Sequence, residues 1–157
     1  MVKPKVKDIS KMHKKWKGIT IHHSLSEDGD SLNWRAIRRH HKGKGWDDVG
    51  YHFGIEKVKG EVEVLVGRAL YRDGAHCLGA NDDTIGICIV GNYNVNDLET
   101  LVKNELIKLV TGLCYIMDIP FDEVKGHKER DETRTCPGDF FNLQEIRELV
   151  RKELEDL

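Results

Sequence analysis

The 157-residue chain lacks any apolar run long enough to span a bilayer or to form the core of a signal peptide. Synthesis in a cytoplasm, without stable membrane association, is therefore the expectation. A surplus of either charge is also missing. Its 25 Lys+Arg against 27 Asp+Glu give a formal net charge of -2, which excludes a nucleic-acid partner held by bulk electrostatics. No internal repeat or low-complexity segment is present, so solenoids and disordered arrays are excluded as well. Disulfide spacing is absent too: Cys77, Cys88, Cys114 and Cys136 are scattered unevenly in a chain with no secretion signal.

What is present fits one domain. A chain of this length can withdraw about two-thirds of its unfolded surface from water. The one local charge excess is Lys3, Lys5, Lys7, Lys11, Lys14, Lys15 and Lys17. Residues 1–17 therefore read as a basic, solvated or loosely docked leader, and residues 18–157 as the folded domain, expected to be monomeric.

The pattern alternates strand and helix. Ile19 to Ser24 places Ile19, Ile21 and His23 on one strand face and Thr20, His22 and Ser24 on the other. A helix through Trp34, Ile37 and His41 is expected, capped by Asp30 or Ser31 and ended by Gly43 and Gly45. Gly50 to Glu56 and Glu61 to Arg68 read as strands joined at Lys59-Gly60. Thr84 to Val90 is apolar enough to be a central strand covered on both faces. From Asp97 to Met117, Leu98, Leu101, Val102, Leu106, Leu109, Val110, Leu113 and Ile116 recur at helical spacing, and Leu143 to Leu154 repeats that pattern. The expected fold class is mixed α/β, with a single central mixed β-sheet flanked by helices.

Three residues stand out from this scaffold. His22 points away from the apolar strand face, His127 follows Gly126, and Cys136 sits in a polar turn between Thr135 and Pro137. Two imidazoles and one thiolate are the ligand count of a catalytic zinc, which keeps its fourth position open. If the three meet in space, a zinc hydrolase is expected. The other histidines have plainer readings. His13, His40 and His41 suit a surface or a helix, His23 a hydrogen-bonded core position, and His52 a structural one. Cys88 and Cys114 read as small buried hydrophobes.

Several blocks occur in one order: Ile21-His22-His23-Ser24, Gly45 through Phe53, Gly67-Arg68, Gly74-Ala75-His76, Thr84-Ile85-Gly86-Ile87, and Gly126-His127 with Cys136-Pro137-Gly138. Together they resemble the zinc-dependent N-acetylmuramoyl-L-alanine amidases of bacteriophage endolysins and the related peptidoglycan recognition proteins. The resemblance runs from Gly18 to the C-terminal helix. It implies one catalytic zinc ion on His22, His127 and Cys136. It places Tyr51 beside the metal as a catalytic residue, although by strand pattern alone Tyr51 reads as a core tyrosine. Trp46, His76 and Asn81 are implied to line a substrate groove.

The implied substrate is peptidoglycan or a soluble muropeptide, cut at the amide between N-acetylmuramic acid and L-alanine, in a phage-type lytic role. Non-hydrolytic peptidoglycan recognition and cytoplasmic muropeptide recycling are the other readings. Arg134, two residues before the cysteine, departs from the lysine or threonine of relatives. A guanidinium can stabilise an oxyanion but cannot exchange protons near neutral pH. Some distant relatives use a glutamate on the central strand as general base, whereas Gly86 to Val90 here has no carboxylate, so zinc, Tyr51 and Arg134 form the expected catalytic set.

Overall fold

The computed structural model describes residues 15–25 and 33–157. Five strands, β1 (Gly18–His23), β2 (Phe53–Val58), β3 (Glu61–Val66), β4 (Thr84–Ile89) and β5 (Val124–Gly126), form one sheet in the order β3-β2-β4-β1-β5. Only the β2–β3 pair is antiparallel, so the sheet is mixed. Among the described residues the helices are α1 (Trp34–Gly43), α2 (Thr100–Met117), the short α3 (His127–Arg130) and α4 (Leu143–Glu155), with a 3-10 turn at Phe121–Glu123. None of the described helices is long and apolar enough to cross a membrane.

The apolar strand β4 takes the centre and is buried throughout. One sheet face is built from Ile19, Ile21, Ile55, Ile85, Ile87 and Ile89, packed with Leu106, Val110, Ile146 and Val150 of α2 and α4. Branched side chains fit a pleated, two-sided interior, which is why isoleucine dominates here. The opposite face carries smaller and polar residues. In register, His22 lies beside Cys88, and Cys88 beside Gly54. The missing side chain at Gly54 makes room for Trp34 of α1, whose Cε3 would lie 2.4 Å from a Cβ there. His22, one of the three candidate ligands, lies on this face.

Local chemistry sets the boundaries. Lys59 and Gly60, with φ 52° and 84°, make the tight turn between β2 and β3, a conformation suited to the twist of a two-residue hairpin. Asn33 caps α1, accepting from the Ala36 N–H at 2.9 Å. The expected caps Asp30 and Ser31 fall outside the described residues, as do residues 1–14 of the expected leader. Trp16, inside that leader, is 2% exposed, donates its indole N–H to the Leu70 carbonyl and packs edge-on against His52. The packed body thus begins before Gly18.

Two expectations about the α2 stripe need correction. Leu101 and Ile116 are 55% and 74% exposed, while Ile107 and Thr111, outside the expected stripe, are buried; Cys114 is buried as expected. With apolar residues around much of the helix, spacing did not say which of them would face the sheet. β5 and α3 were also not foreseen, because three- and four-residue elements are too short to show a period.

Candidate metal centre and active site

Parallel strands align their carboxyl ends, and that edge is where open α/β sheets place their sites. The β1–β5 pairing ends with Ile21 opposite Gly126. One residue further along come His22, still on β1, and His127, the first residue of α3, and their rings lie 4.7 Å apart. Gly126 is tightly enclosed, since a Cβ there would come within 2.6 Å of Leu143 and 2.7 Å of Pro137. A loop then returns the chain, and the Lys128 N–H donates to the Cys136 carbonyl at 2.7 Å. This brings the Cys136 Sγ to 3.6 Å from His22 Nδ1. Gly138, with φ 121°, completes the turn where a Cβ would strike the Tyr93 carbonyl at 2.3 Å.

The ligand atoms of His22, His127 and Cys136 all lie within 4.8 Å of one another, and among the described residues this trio could hold a metal ion. The donor set suits zinc. With Zn–N of about 2.0–2.1 Å and Zn–S of about 2.3 Å, tetrahedral geometry separates N and S by about 3.6 Å. The Sγ···Nδ1 distance of 3.6 Å matches that span. Other nearby donors are engaged elsewhere. His23 Nδ1 accepts from the Tyr93 N–H at 3.1 Å, and burial pushes the Cys88 thiol well up, so it keeps its proton. A closed four-ligand structural site is therefore not assembled from either of them.

Electrostatics prepare the donors differently. Burial, then the charges of His76 and His127, hold the His22 pKa well below its usual value, so its ring is neutral. His127 is lowered by burial and then by the Arg134 charge. Burial raises the Cys136 thiol to about 11, offset by the His23 N–H that donates to its sulfur at 3.4 Å. A divalent cation binding there must displace that proton.

The remaining candidates have distinct places. Tyr51 lies just before β2 rather than on it, with its ring 5.1 Å from His22 and 5.8 Å from His41. Its main chain is clamped by the sequence blocks around it. The Arg68 N–H donates to the Tyr51 carbonyl, the Ala75 N–H donates to Gly50, and Gly50 donates to His41 Nδ1. Gly67 must lack a side chain, because a Cβ would sit 2.2 Å from the Tyr51 oxygen. Burial pushes the Tyr51 pKa well above 10, so the phenol keeps its proton.

Trp46 extends the aromatic row, 4.7 Å from His41 and under the Lys44 ammonium. Arg134 is on the surface of the His127–Cys136 loop, 61% exposed, with a 3.4 Å contact to Asp131. His76 lies behind His22, with its two ring nitrogens facing His22 and the Thr84 carbonyl. The Asn81 side-chain oxygen accepts the amides of both His76 and Cys77.

His41 is the residue that sequence reasoning passed over. It was read as a surface or helix histidine, yet its Nδ1 holds the Gly50 amide beside Tyr51. Its only sequence signal is the helical position facing the Trp46 turn. Burial, then Lys44, lower its pKa from 6.5 to about 4. Between those values the unfolded chain binds a proton that the folded chain refuses. The stability contribution is thus complete above about pH 6.5 and disappears as pH falls toward about 4. Asparagine at this position keeps an acceptor without titrating. The drop in melting temperature between about pH 7 and pH 4.5 is expected to be smaller for His41→Asn than for the wild type; equal drops would remove His41 from the acid response.

Comparison with known proteins agrees with this geometry. The family model for N-acetylmuramoyl-L-alanine amidase matches residues 12–139. The endolysin of Escherichia phage T7 is 42% identical over 76 residues, covering 48% of this chain and 48% of that protein. The human N-acetylmuramoyl-L-alanine amidase is 33% identical over 118 residues, covering 72% of this chain and 20% of its own length. The match thus spans about half the length of the phage relatives. Among solved structures, the amidase LysC from Clostridium intestinale superimposes with a TM-score of 0.76 at 28% identity, covering 87% of this chain and 86% of its own. With one family model covering most of the folded body and the same fold in a solved amidase, the chain belongs to the N-acetylmuramoyl-L-alanine amidase family.

Proposed function

We propose that this protein is a zinc-dependent N-acetylmuramoyl-L-alanine amidase that hydrolyses the lactyl amide between N-acetylmuramic acid and L-alanine in bacterial peptidoglycan, in a phage-type lytic role. The observation that carries this reading is the three-donor centre, with Sγ and Nδ1 at 3.6 Å, next to a phenol that keeps its proton. An amide resists attack because its nitrogen lone pair is delocalised, so the site must provide a strong nucleophile and a partner for the tetrahedral oxyanion. Held by His22, His127 and Cys136, one zinc ion would supply Lewis acidity and lower the pKa of water to about 7.

The chain's own residues supply the rest. Tyr51, whose phenol keeps its proton beside His22, donates a hydrogen bond to the developing oxyanion. Arg134, on the loop joining two ligands, adds positive charge at the rim; Asp131 contacts its Nε, and its exposure leaves the rest of the guanidinium to meet substrate. Trp46 offers an aromatic wall to the sugar or stem peptide at the far end of the row from His127. His76 and Asn81, proposed from the resemblance as groove residues, would act from behind His22, where both His76 ring nitrogens and the Asn81 side-chain oxygen already have internal partners.

The test is the release of free amino groups from purified peptidoglycan, with and without a zinc chelator, while reducing sugar ends are followed in the same digest. New N-terminal alanine that the chelator suppresses, without new reducing ends, is the expected result. A folded, zinc-loaded sample that releases no amine from intact wall or soluble muropeptides would replace hydrolysis with recognition. Cleavage of soluble muropeptides alone would replace lysis with recycling.

A further inference from the structure

Gly74 and His76 of one sequence block and Gly86 of another meet behind His22. In space they form one device. The His76 ring lies in a cradle left by two absent side chains: a Cβ at Gly74 would be 2.3 Å from its Cδ2, and one at Gly86 2.4 Å from the same atom. The backbone under the ring is held as well, with the His76 and Cys77 amides donating to Asn81 Oδ1 at 2.7 and 2.8 Å. A cradle this tight fixes the ring's position and tilt.

The ring's two nitrogens then have defined tasks. Nε2 is 3.2 Å from the Thr84 carbonyl oxygen. A carbonyl only accepts, so Nε2 carries the hydrogen. In the neutral ring Nδ1 is then a bare acceptor, and it lies 2.9 Å from His22 Nε2. His22 must therefore carry its own hydrogen on Nε2. That leaves His22 Nδ1 with its lone pair free, and this is the nitrogen that faces the Cys136 sulfur at 3.6 Å.

We propose that His76 is a positioning residue that selects the metal-binding tautomer of His22, through the relay Thr84 carbonyl, His76, His22. In solution a neutral imidazole divides between two tautomers, and only one of them presents Nδ1 to a metal here. A partner on the far nitrogen removes the wrong form and orients the ring, the role that outer hydrogen bonds play at zinc sites. The inference rests on the metal reading of the preceding section, but its central observable does not need the metal.

Two measurements test it. In the metal-free wild-type protein, long-range proton–nitrogen correlation spectra are expected to show His22 and His76 both protonated at Nε2. His22 protonated at Nδ1 would overturn the relay, whatever the protein's activity. The second measurement is zinc affinity by competition with a chromophoric chelator. His76→Leu fills most of the ring's volume without an acceptor and is expected to bind zinc about 10- to 100-fold more weakly. His76→Asn, whose side-chain oxygen can stand where Nδ1 stood, is expected to recover most of that loss. Wild-type affinity in His76→Leu would overturn the proposal. If the wild-type chain bound no zinc at all, the metal reading would fall and the His22 tautomer would still decide the relay.

Discussion

Cys136→Ser is expected to lose zinc and all amidase turnover while keeping the fold. A serine hydroxyl stays protonated near neutral pH and offers a weak neutral donor in place of a thiolate. Four-ligand zinc sites in small domains gather roughly 10–16 kcal/mol of apparent binding free energy. One ligand's share is about 2.5–4 kcal/mol, or roughly two to three orders of magnitude in affinity. The fold should survive, because Cys136 is only partly buried and the loop is also held by Lys128, whose ammonium donates to Gly138. Zinc competition and thermal unfolding without metal, read beside hydrolysis, check this outcome. A fully active Cys136→Ser protein would sink the assignment of the centre.

Tyr51→Phe is expected to lower kcat by about 100- to 1,000-fold, the range found when one oxyanion donor is removed. Zinc affinity should not change, because the phenol is not among the three donors. The physical reason is the buried ring. Packed between His22 and Trp34, it holds its hydroxyl in a place of low polarity, where ionisation is disfavoured and a hydrogen bond to developing negative charge is strong. Since its pKa lies well above 10, Tyr51 should contribute no alkaline limb to the pH–rate profile below about pH 10. Unchanged kcat in Tyr51→Phe would remove the phenol from the oxyanion role. Loss of zinc in the same variant would make Tyr51 a support for His22 instead.

Much of the architecture is legible in the sequence. Alternation in Ile19 to Ser24 separated His22 from the isoleucine face, and the structure buries Ile19 and Ile21 in the main core as that pattern requires. The run Thr84 to Val90 announced a central strand, and Lys59-Gly60 a turn. Where expectation failed, the cause was local ambiguity. The α2 stripe is apolar on more than one side, so Leu101 and Ile116 were assigned to a face that they do not occupy. Tyr51 was counted on the strand face of Phe53 and Ile55, but the chain straightens only at Phe53, and Tyr51 is a core tyrosine of the smaller cluster of Trp34, Val49 and Cys88, beside His22.

The sequence by itself determined the kind of chemistry available. Two imidazoles, a thiol and a phenol within recognisable blocks specify donors, and the blocks specify the family. It could not say which atoms meet. His22 and Cys136 are 114 residues apart, and their approach depends on a three-residue strand whose register brings His127 to the end of β1. Hydrophobic periodicity reports which side of a local element is buried, because burial repeats with the element's own pitch. A ligand set is different: it is a coincidence of strand ends and loops from distant segments. The choice of His22 Nδ1 over Nε2, the cradle of Gly74 and Gly86 around His76, and the clamp on Tyr51 exist only once the sheet order has closed.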